Sequence, residues 1–263
     1  MASNDLTAII QARTGSTRLP DKIFKKINDS TVLECLIQQL SYSQLLTNKI
    51  IATSTSTRDN SIENFAKSKK INFFRGQELD VLDRYYQCAK KFNLKNIIRI
   101  TADCPFIDPT IIDGVLSVYQ SGNYDYVSNF YKNRCPSGFE VEVFSFSCLE
   151  SSWTQANGDE REHVTKFIYN NPKYFKIGSF DNDKSYPNLH LSVDTEHDLK
   201  LISSLYDKID SKPILLSNIL EILNQCPDLL KINNSKFWCF YNFFLIYWID
   251  FTGVGSVFIK TAL

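Results

Sequence analysis

A basic loop near the N-terminus has the composition of a phosphate-binding site. Three cations, Arg13, Arg18 and Lys22, flank Gly15 and Ser16. Backbone amides and hydroxyl groups could contact phosphate oxygens there, while the cations neutralise the negative charge. The loop is not a P-loop, because the spacing G-x-x-x-x-G-K-[ST] is absent. The alternative is a solvated basic loop without a ligand.

An aspartate that follows another apolar segment could hold a metal ion. Asp103 comes just after the predicted strand Asn96–Thr101. A carboxylate at a strand end is well placed to hold Mg²⁺ against a triphosphate, because the ion offsets charge that develops on the phosphate. The alternative is an aspartate that only caps the following turn.

Four charged residues in the second half could contact an acidic second substrate. Glu140 and Glu142 alternate along a predicted strand, which places both carboxylates on one face. Arg161 and His163 lie where a helix is predicted to begin, and their side chains could bind an acidic group. The alternatives are solvated glutamates on an edge strand and a structural histidine.

The first half of the chain alternates between predicted strands and helices. This rhythm predicts an α/β fold with a doubly wound, mostly parallel sheet. Ligands of such sheets bind at the carboxyl ends of the strands, where the basic loop and Asp103 lie. The predicted strands are Leu6–Gln11, Lys49–Thr53, Asn72–Phe74 and Asn96–Thr101, and the predicted helices are 31–42, Asn60–Lys69, Asp80–Phe92 and Pro109–Gln120.

The pattern changes after a further predicted strand, Asp125–Ser128. The segment Glu140–Phe146 alternates with period two, which is typical of an antiparallel strand. We expect one domain over residues 1–225, with a small antiparallel insertion at about 137–186 that binds the acceptor or forms a dimer. The other predicted elements are helices at 148–156, 160–170 and 196–208, and strands near 174–179 and 189–193.

The composition is that of an ordinary globular protein. A formal net charge of +0 over 263 residues argues against nucleic-acid binding. Seven cysteines without a C-x-x-C pair argue against a disulfide framework or a zinc site and indicate thiols in a reducing cytoplasm. The N-terminal segment has no signal-peptide pattern, so a cytoplasmic location is expected.

The C-terminal segment 226–263 is atypical because Phe237–Ile249 is strongly apolar and aromatic. The stretch Phe237–Ile249 is too short for a membrane-spanning helix, and membrane association is not expected. Three interpretations stay open: an element packed on the domain or on a second subunit, a membrane-interface segment, or a translated frameshift.

Several motifs together resemble a known enzyme family. The segment IIQARTGSTRLPDK is similar to the first signature of the cytidylyltransferases that include the CMP-Kdo and CMP-sialic acid synthetases. The branch named for spore-coat polysaccharide biosynthesis is resembled most, and the similarity runs from about Ile9 to Leu199. Its motifs here are FRGQELDVLDRYYQCA, RITADCPFIDP, YVSN, GFEVEVFSF, EREHVTKFIY and LSVDTEHDL.

The resemblance implies roles for further residues. Asp103 and Asp194 match the family's metal ligands, and Asp194 could otherwise cap a helix. Asp198 is expected inside the start of that helix, where its charge favours the helix dipole. The sialic-acid branch has an aspartate where Ser192 stands, which leaves the geometry of a second ion open. The residues that would bind the nucleotide are Gln11, Ala12, Arg13, Gly15, Ser16, Arg18, Lys22, Arg75 and Thr101.

The resemblance also implies a base-recognition segment at Phe74–Gly76. Arg75 would lie near the cytosine, with Arg84 nearby; alternatively, Arg84 pairs with Asp80 on the helix surface. By the same resemblance, His163 and Arg161 belong to the acceptor site. No residue type by itself selects cytosine over uracil.

The resemblance therefore implies a fold like that of the nucleotide-diphospho-sugar transferases and a Mg²⁺-dependent transfer of CMP from CTP to a small acidic acceptor, with Arg13, Lys22 and Asp103 as catalytic residues. A homodimer is expected from related synthetases. Two alternatives stay open. A metal-dependent glycosyltransferase would carry a D-x-D motif, and the only one here, Asp181-Asn-Asp183, lies in a predicted loop. A binding protein without activity is the other.

Overall fold

The computed structural model describes residues 5–130, 135–181, 185–186 and 188–233. The aromatic segment Phe237–Ile249 and Asp183 of the D-x-D motif lie outside the described residues, so the interpretations of the C-terminal segment stay predictions. From the segment 226–263, the structure describes a 3₁₀ turn at Pro227–Lys231.

The described residues form strands and α-helices that alternate through the first half of the chain. The strands are β1 (Leu6–Gln11), β2 (Lys26–Ile27), β3 (Ser30–Thr31), β4 (Asn48–Ser54), β5 (Asn72–Gly76), β6 (Asn96–Thr101), β7 (Tyr126–Ser128), β8 (Glu142–Ser145) and β9 (Ile177–Ser179). The helices are α1 (Val32–Leu40), α2 (Asn60–Ser68), α3 (Val81–Lys91), α4 (Pro109–Ser121), α5 (Phe146–Gln155), α6 (Lys166–Asn170), α7 (Glu196–Tyr206) and α8 (Leu216–Gln225).

Seven strands make one sheet in the order β5-β4-β1-β6-β8-β7-β9. Strands β5, β4, β1 and β6 are parallel, as are β7 and β9, whereas β8 is antiparallel to both of its neighbours. The predicted α/β fold with a mostly parallel sheet is confirmed. The antiparallel strand predicted near residue 140 belongs to this same sheet, and β2 and β3 form a separate antiparallel pair.

The central strands are buried on both faces, which explains their unbroken apolar sequences. In β1, Ala8 and Ile10 pack into the apolar cluster that contains α1 and α4 residues. Ile9 points to the other face and packs into the cluster that contains α3 and α5 residues. The polar carboxyl ends of β1 and β6 are therefore held by a core on each side.

Two predicted elements in the second half are wrong. The helix predicted at 160–170 is a 3₁₀ turn at Gly158–Glu160 followed by the short α6, because Val164 between them has a left-handed φ of 52°. The strand predicted at 189–193 forms only an isolated bridge, between His190 and Ser137.

The antiparallel strand predicted at 140–146 is shorter than expected. It begins at Glu142 because the Asn129 side chain occupies the backbone groups before it. The Asn129 amide donates to the Phe139 carbonyl at 2.7 Å and accepts from the Val141 N–H at 2.8 Å. Glu140 therefore lies in a loop.

No helix within the described part of the chain is long and apolar enough to cross a membrane. The six described cysteines are free thiols, and all but Cys226 are buried. This agrees with the predicted role of cysteines as core residues.

Candidate functional site

Three segments meet at the carboxyl edge of the sheet. Gln11 at the end of β1 pairs in register with Thr101 at the end of β6. The segment before α7 reaches the same place, because the Val193 N–H donates to the Asp103 carbonyl at 2.8 Å. The basic loop and the two predicted aspartates are thereby brought together.

Lys22 lies between those two aspartates. Its ammonium is 2.5 Å from the Asp103 carboxylate and 2.9 Å from the Asp194 carboxylate. Burial by itself would lower the pKa of Lys22, but the charges and hydrogen bonds of the two aspartates outweigh it and raise the pKa. The mostly exposed Arg18 guanidinium adds a second contact to Asp194 at 3.0 Å. Two acidic groups thus share one half-buried cation.

The basic loop is anchored by a buried carboxylate that the sequence analysis missed. Asp59, 2% exposed, accepts hydrogen bonds from the Thr14 N–H at 2.9 Å and the Thr14 hydroxyl at 2.7 Å. It also accepts from the Ser54 hydroxyl at the end of β4, at 2.5 Å. Burial tends to raise the pKa of Asp59, but these hydrogen bonds lower it below the usual value. One carboxylate therefore ties the loop to the sheet.

Asp194 has a second neighbour that the sequence analysis did not identify. His190 lies 3.4 Å from the Asp194 carboxylate and 3.8 Å from Asp198. The hydrogen bond to Asp194 raises the pKa of His190, and the same contact, with Lys22 and Arg18, holds the pKa of Asp194 well below its usual range.

The alternative of Asp194 as a helix cap is wrong. Thr195 caps α7, and Asp198 completes the capping box. The expected structural role of Asp198 is confirmed. Asp194 precedes the helix, so its carboxylate is left to contact Lys22, Arg18 and His190.

The carboxylates of Asp103 and Asp194 fit a Mg²⁺ ion by their chemistry. Both already attract the same cation, the Lys22 ammonium. Among the described residues no cluster of three or more His, Cys, Asp or Glu side chains could hold a metal. Mg²⁺ that is bound to a nucleotide takes most of its ligands from phosphate and water, so two carboxylate ligands from the protein are enough.

The outer part of the basic loop offers further cations. Arg13 is exposed, and its guanidinium makes no hydrogen bond or ion pair with any described residue. Arg58 lies over Gly15, where an added Cβ would be 3.6 Å from the guanidinium. The sequence analysis missed Arg58 because it comes from the segment after β4. Its ion pair with Glu78, at 3.1 Å, is exposed.

Other residues predicted to bind the nucleotide lie deeper. The Gln11 carboxamide oxygen is buried and has no partner in the described part of the chain. The Thr101 hydroxyl lies 3.0 Å from the Cys104 sulfur. The Ala12 N–H donates to the Ala52 carbonyl at 3.0 Å, and the Ser16 hydroxyl accepts from the Leu19 N–H at 3.4 Å.

Arg75 is bound on all sides by protein groups. Its guanidinium contacts Glu63 and Asn60 on α2 at 2.9 and 2.7 Å, and it donates to the carbonyls of Ser54 and Ser56. These contacts describe a residue that joins β5 to α2 and the end of β4. Its predicted role near the base stays a prediction.

Arg84 does not pair with Asp80, so that alternative is wrong. It is 1% exposed and donates from Nη2 to the Glu78 carbonyl at 3.1 Å. Its Nε and Nη1 atoms are buried and have no partner among the described residues. Asp80 pairs instead with Arg161, at 2.8 Å.

A cavity of about 330 Å³ opens beside Asp103. Glu140 and His163 line it, as the sequence analysis expected of an acceptor site. The Glu140 carboxylate accepts from the Gly138 N–H at 2.7 Å, and burial raises the pKa of Glu140. The remaining lining residues are Arg99, Thr101, Cys104, Phe130, Ser137, Thr165, Tyr169 and Ser192.

Gly138 makes this wall of the cavity possible. Its φ of +99° is open mainly to glycine, and an added Cβ would lie 2.7 Å from the Leu191 carbonyl carbon. The close approach lets Ser137 bond to the chain before Asp194, with its hydroxyl 3.0 Å from that of Ser192. The cavity and the aspartate pair are therefore parts of one site.

Two of the predicted acceptor residues have other partners. Arg161 contacts Asp80 and donates to the Trp153 carbonyl at 2.9 Å, so it joins α3 to the segment after α5. Glu142 is 1% exposed and contacts Arg99 at 2.5 Å. Neither residue lines the cavity.

Comparisons with known proteins identify the family of this chain. The sequence model of a family described as cytidylyltransferase matches residues 7–236. A spore coat polysaccharide biosynthesis protein of Bacillus subtilis is 33% identical over 236 residues, which cover 86% of this chain and 96% of that protein. An 8-amino-3,8-dideoxy-manno-octulosonate cytidylyltransferase of Shewanella baltica is 27% identical over 65% of this chain and 62% of its own.

A solved structure shows the same fold. A cytidylyltransferase from Leptospira borgpetersenii superimposes with a TM-score of 0.82 at 29% identity, over 86% of this chain and 96% of that one.

Proposed function

Because the chain belongs to the cytidylyltransferase family, we propose that it transfers CMP from CTP to an oxygen of an acidic sugar or a related acceptor and releases pyrophosphate. The observation that carries this proposal is the shared contact of Asp103 and Asp194 with Lys22, directly beside the basic loop. A role in surface polysaccharide biosynthesis is supported by the name of the Bacillus subtilis relative.

In the proposed reaction, an acceptor hydroxyl oxygen attacks the α-phosphorus of CTP. The bond from that phosphorus to the oxygen bridging to the β-phosphate breaks, and pyrophosphate leaves with the electron pair. The hydroxyl proton passes to solvent. This in-line displacement depends on positioning and charge stabilisation, and it needs no covalent intermediate on the protein.

The basic loop would bind the triphosphate. Arg13 and Arg18 are exposed at the edge of the sheet and could pair with the β- and γ-phosphates. Lys22 could turn from the two aspartates toward the phosphates, because the aspartates would then bind Mg²⁺ in place of the ammonium group. Asp103 and Asp194 would hold Mg²⁺, which supplies charge neutralisation at the phosphate when it is bound.

The acceptor would occupy the cavity beside Asp103. Its wall carries hydroxyl, carboxyl, imidazole and guanidinium groups together with one phenyl ring, which suits a small polyhydroxylated acid. The name of the Shewanella baltica relative describes a sugar acid of this kind as that protein's substrate. A homodimer formed through residues 137–186 and a cytoplasmic location are parts of the same proposal.

A pyrophosphate-release assay tests the proposal. CTP, UTP, ATP and GTP would be offered with a panel of ulosonic acids, other acidic sugars and phosphonates, in the presence of Mg²⁺. We expect pyrophosphate with CTP and an acidic acceptor, together with a CMP-linked product seen by mass spectrometry. Transfer from a preformed nucleotide sugar without pyrophosphate would contradict the proposal and favour a glycosyltransferase.

A further inference from the structure

One wall of the cavity beside Asp103 carries an arginine that other residues hold in place. Not all of its N–H groups have a hydrogen-bond partner among the described residues. Arg99 lies on β6, two residues before Thr101, so the strand directs both side chains to the same face. Both line the cavity. We propose that Arg99 recognises a carboxylate group of the acceptor, an inference that rests on the proposed nucleotidyl transfer.

The guanidinium of Arg99 is only partly satisfied by the protein. Its Nη1 donates to Glu142 at 2.5 Å, but its Nε is buried and has no hydrogen-bond partner in the described part of the chain. A buried donor without a partner costs free energy, so the protein alone does not fully satisfy this guanidinium. The side chain is 18% exposed, so the group can be reached from the cavity.

Glu142 holds Arg99 in place. The Glu142 carboxylate accepts from the Tyr126 hydroxyl at 2.8 Å and from the Thr165 hydroxyl, in addition to Arg99. Because this carboxylate is fully buried and bound on three sides, the arginine cannot easily rotate away. The charge of Glu142 outweighs burial and raises the pKa of Arg99, so the guanidinium stays charged.

The charges around Arg99 favour a carboxylate over a phosphate. Arg99 pairs with Glu142 and lies near Glu140, and Asp103 lines the same cavity; the other titratable side chains of the lining are Cys104, His163 and Tyr169. A dianionic phosphate would be repelled more strongly by these carboxyl groups than a carboxylate, which adds a single negative charge. The planar fork of a guanidinium also matches the two oxygens of a carboxylate.

The other walls suit the rest of a sugar acid. Ser137 and Ser192 line the same cavity as Asp103, and Phe130 adds an apolar ring to its wall. The carboxylate of the acceptor would therefore bind at Arg99, with the acceptor hydroxyl directed toward the reacting phosphate near Asp103.

An Arg99→Lys variant tests this assignment. Lysine keeps the charge beside Glu142 but loses the fork, so the fold should survive, as a thermal melt would show. Pyrophosphate release would be measured with 3-deoxy-manno-octulosonate, N-acetylneuraminate, their carboxamides and the corresponding sugar phosphates. We expect the KM for the preferred acid to rise on the order of tenfold or more, while the KM for CTP stays within about twofold. The preference of the wild type for acid over carboxamide should shrink by a similar factor.

Three results would overturn the assignment. Unchanged acceptor KM in Arg99→Lys, with a raised KM in Arg161→Lys, would transfer the role to the residue that the sequence analysis favoured. Turnover of neutral or phosphate-bearing acceptors in preference to acids would refute carboxylate recognition while leaving nucleotidyl transfer intact. No turnover with any nucleotide and acceptor would refute the proposed function, and the inference with it.

Discussion

The proposed phosphate side and the proposed acceptor side of the site are built in different ways. On the phosphate side, the charged residues Lys22, Asp103 and Asp194 contact each other at the strand ends. On the acceptor side, Arg161 and Glu142 are held by other protein groups, and the cavity takes its guanidinium from Arg99. The charges near the strand ends therefore meet at one place, whereas some charges of the irregular second half join that half to the first.

Among the variants that test this comparison, a change in the aspartate pair should have the largest effect on activity. Replacing Asp103 by Asn should lower kcat on the order of 100-fold or more, because the bound cation loses a negatively charged ligand. Steady-state pyrophosphate release measures this effect. Asp210→Asn is the matched control. Asp210 is exposed and follows the C-terminal end of α7, whereas Asp194 precedes its N-terminal end. Near-normal turnover in Asp103→Asn would defeat the metal assignment.

Replacing Lys22 should separate its two roles. Lys22→Met should lower kcat/KM for CTP by about tenfold or more through the loss of a phosphate contact. The same change leaves Asp103 and Asp194 without their shared cation. Added Mg²⁺ should therefore raise the melting temperature of Lys22→Met more than that of the wild type. An equal or smaller rise would show that Lys22 does not occupy the place of a metal ion.

The anchor of the basic loop should affect stability more than chemistry. Asp59→Asn should lower the free energy of unfolding by about 2 kcal/mol, because a buried charged acceptor of several hydrogen bonds is lost. The folded-state pKa of Asp59 is lowered, so its stabilisation is present above the unfolded pKa and is lost as the pH falls through the folded value. Denaturant unfolding between neutral and acid pH should show a smaller acid loss in the variant. If Asp59→Asn lost as much stability toward acid pH as the wild type does, this role would be contradicted.

The smallest effect is expected at Arg75. Its contacts to Glu63, Asn60 and two carbonyls indicate a structural role. Arg75→Lys should lower the melting temperature by a few degrees, about 1 kcal/mol, and should change the KM for CTP and UTP by similar factors. A selective loss of the preference for CTP would instead support the base contact that the resemblance implies.

The parts that were predictable from the sequence are those with local signals. Apolar strands that end in charged loops place the basic loop and Asp103 at one edge, and the Thr31–Glu34 capping box marks the start of α1. A break such as the left-handed Val164 has no local signal, because valine rarely adopts that conformation. The helix predicted across it was therefore wrong.

The missed site residues share a different cause. Asp59 and Arg99 act through partners far away in the chain, and a single charged residue in a sequence does not reveal such partners. His190 lies only four residues from Asp194, but the segment between them is not helical, so the spacing does not predict the contact. The alternation of β6 could have pointed to Arg99, since it lies on the same face as Thr101. Its charge within an otherwise apolar strand was the available signal.

The central claim is that Asp103 and Asp194 bind one cation together with the nucleotide. Electron paramagnetic resonance of Mn²⁺, titrated with a non-hydrolysable CTP analogue present, measures that site directly. We expect one tight site in the wild type, weakened on the order of tenfold or more by Asp103→Asn and by Asp194→Asn alone. Wild-type Mn²⁺ affinity in either variant would contradict a shared site.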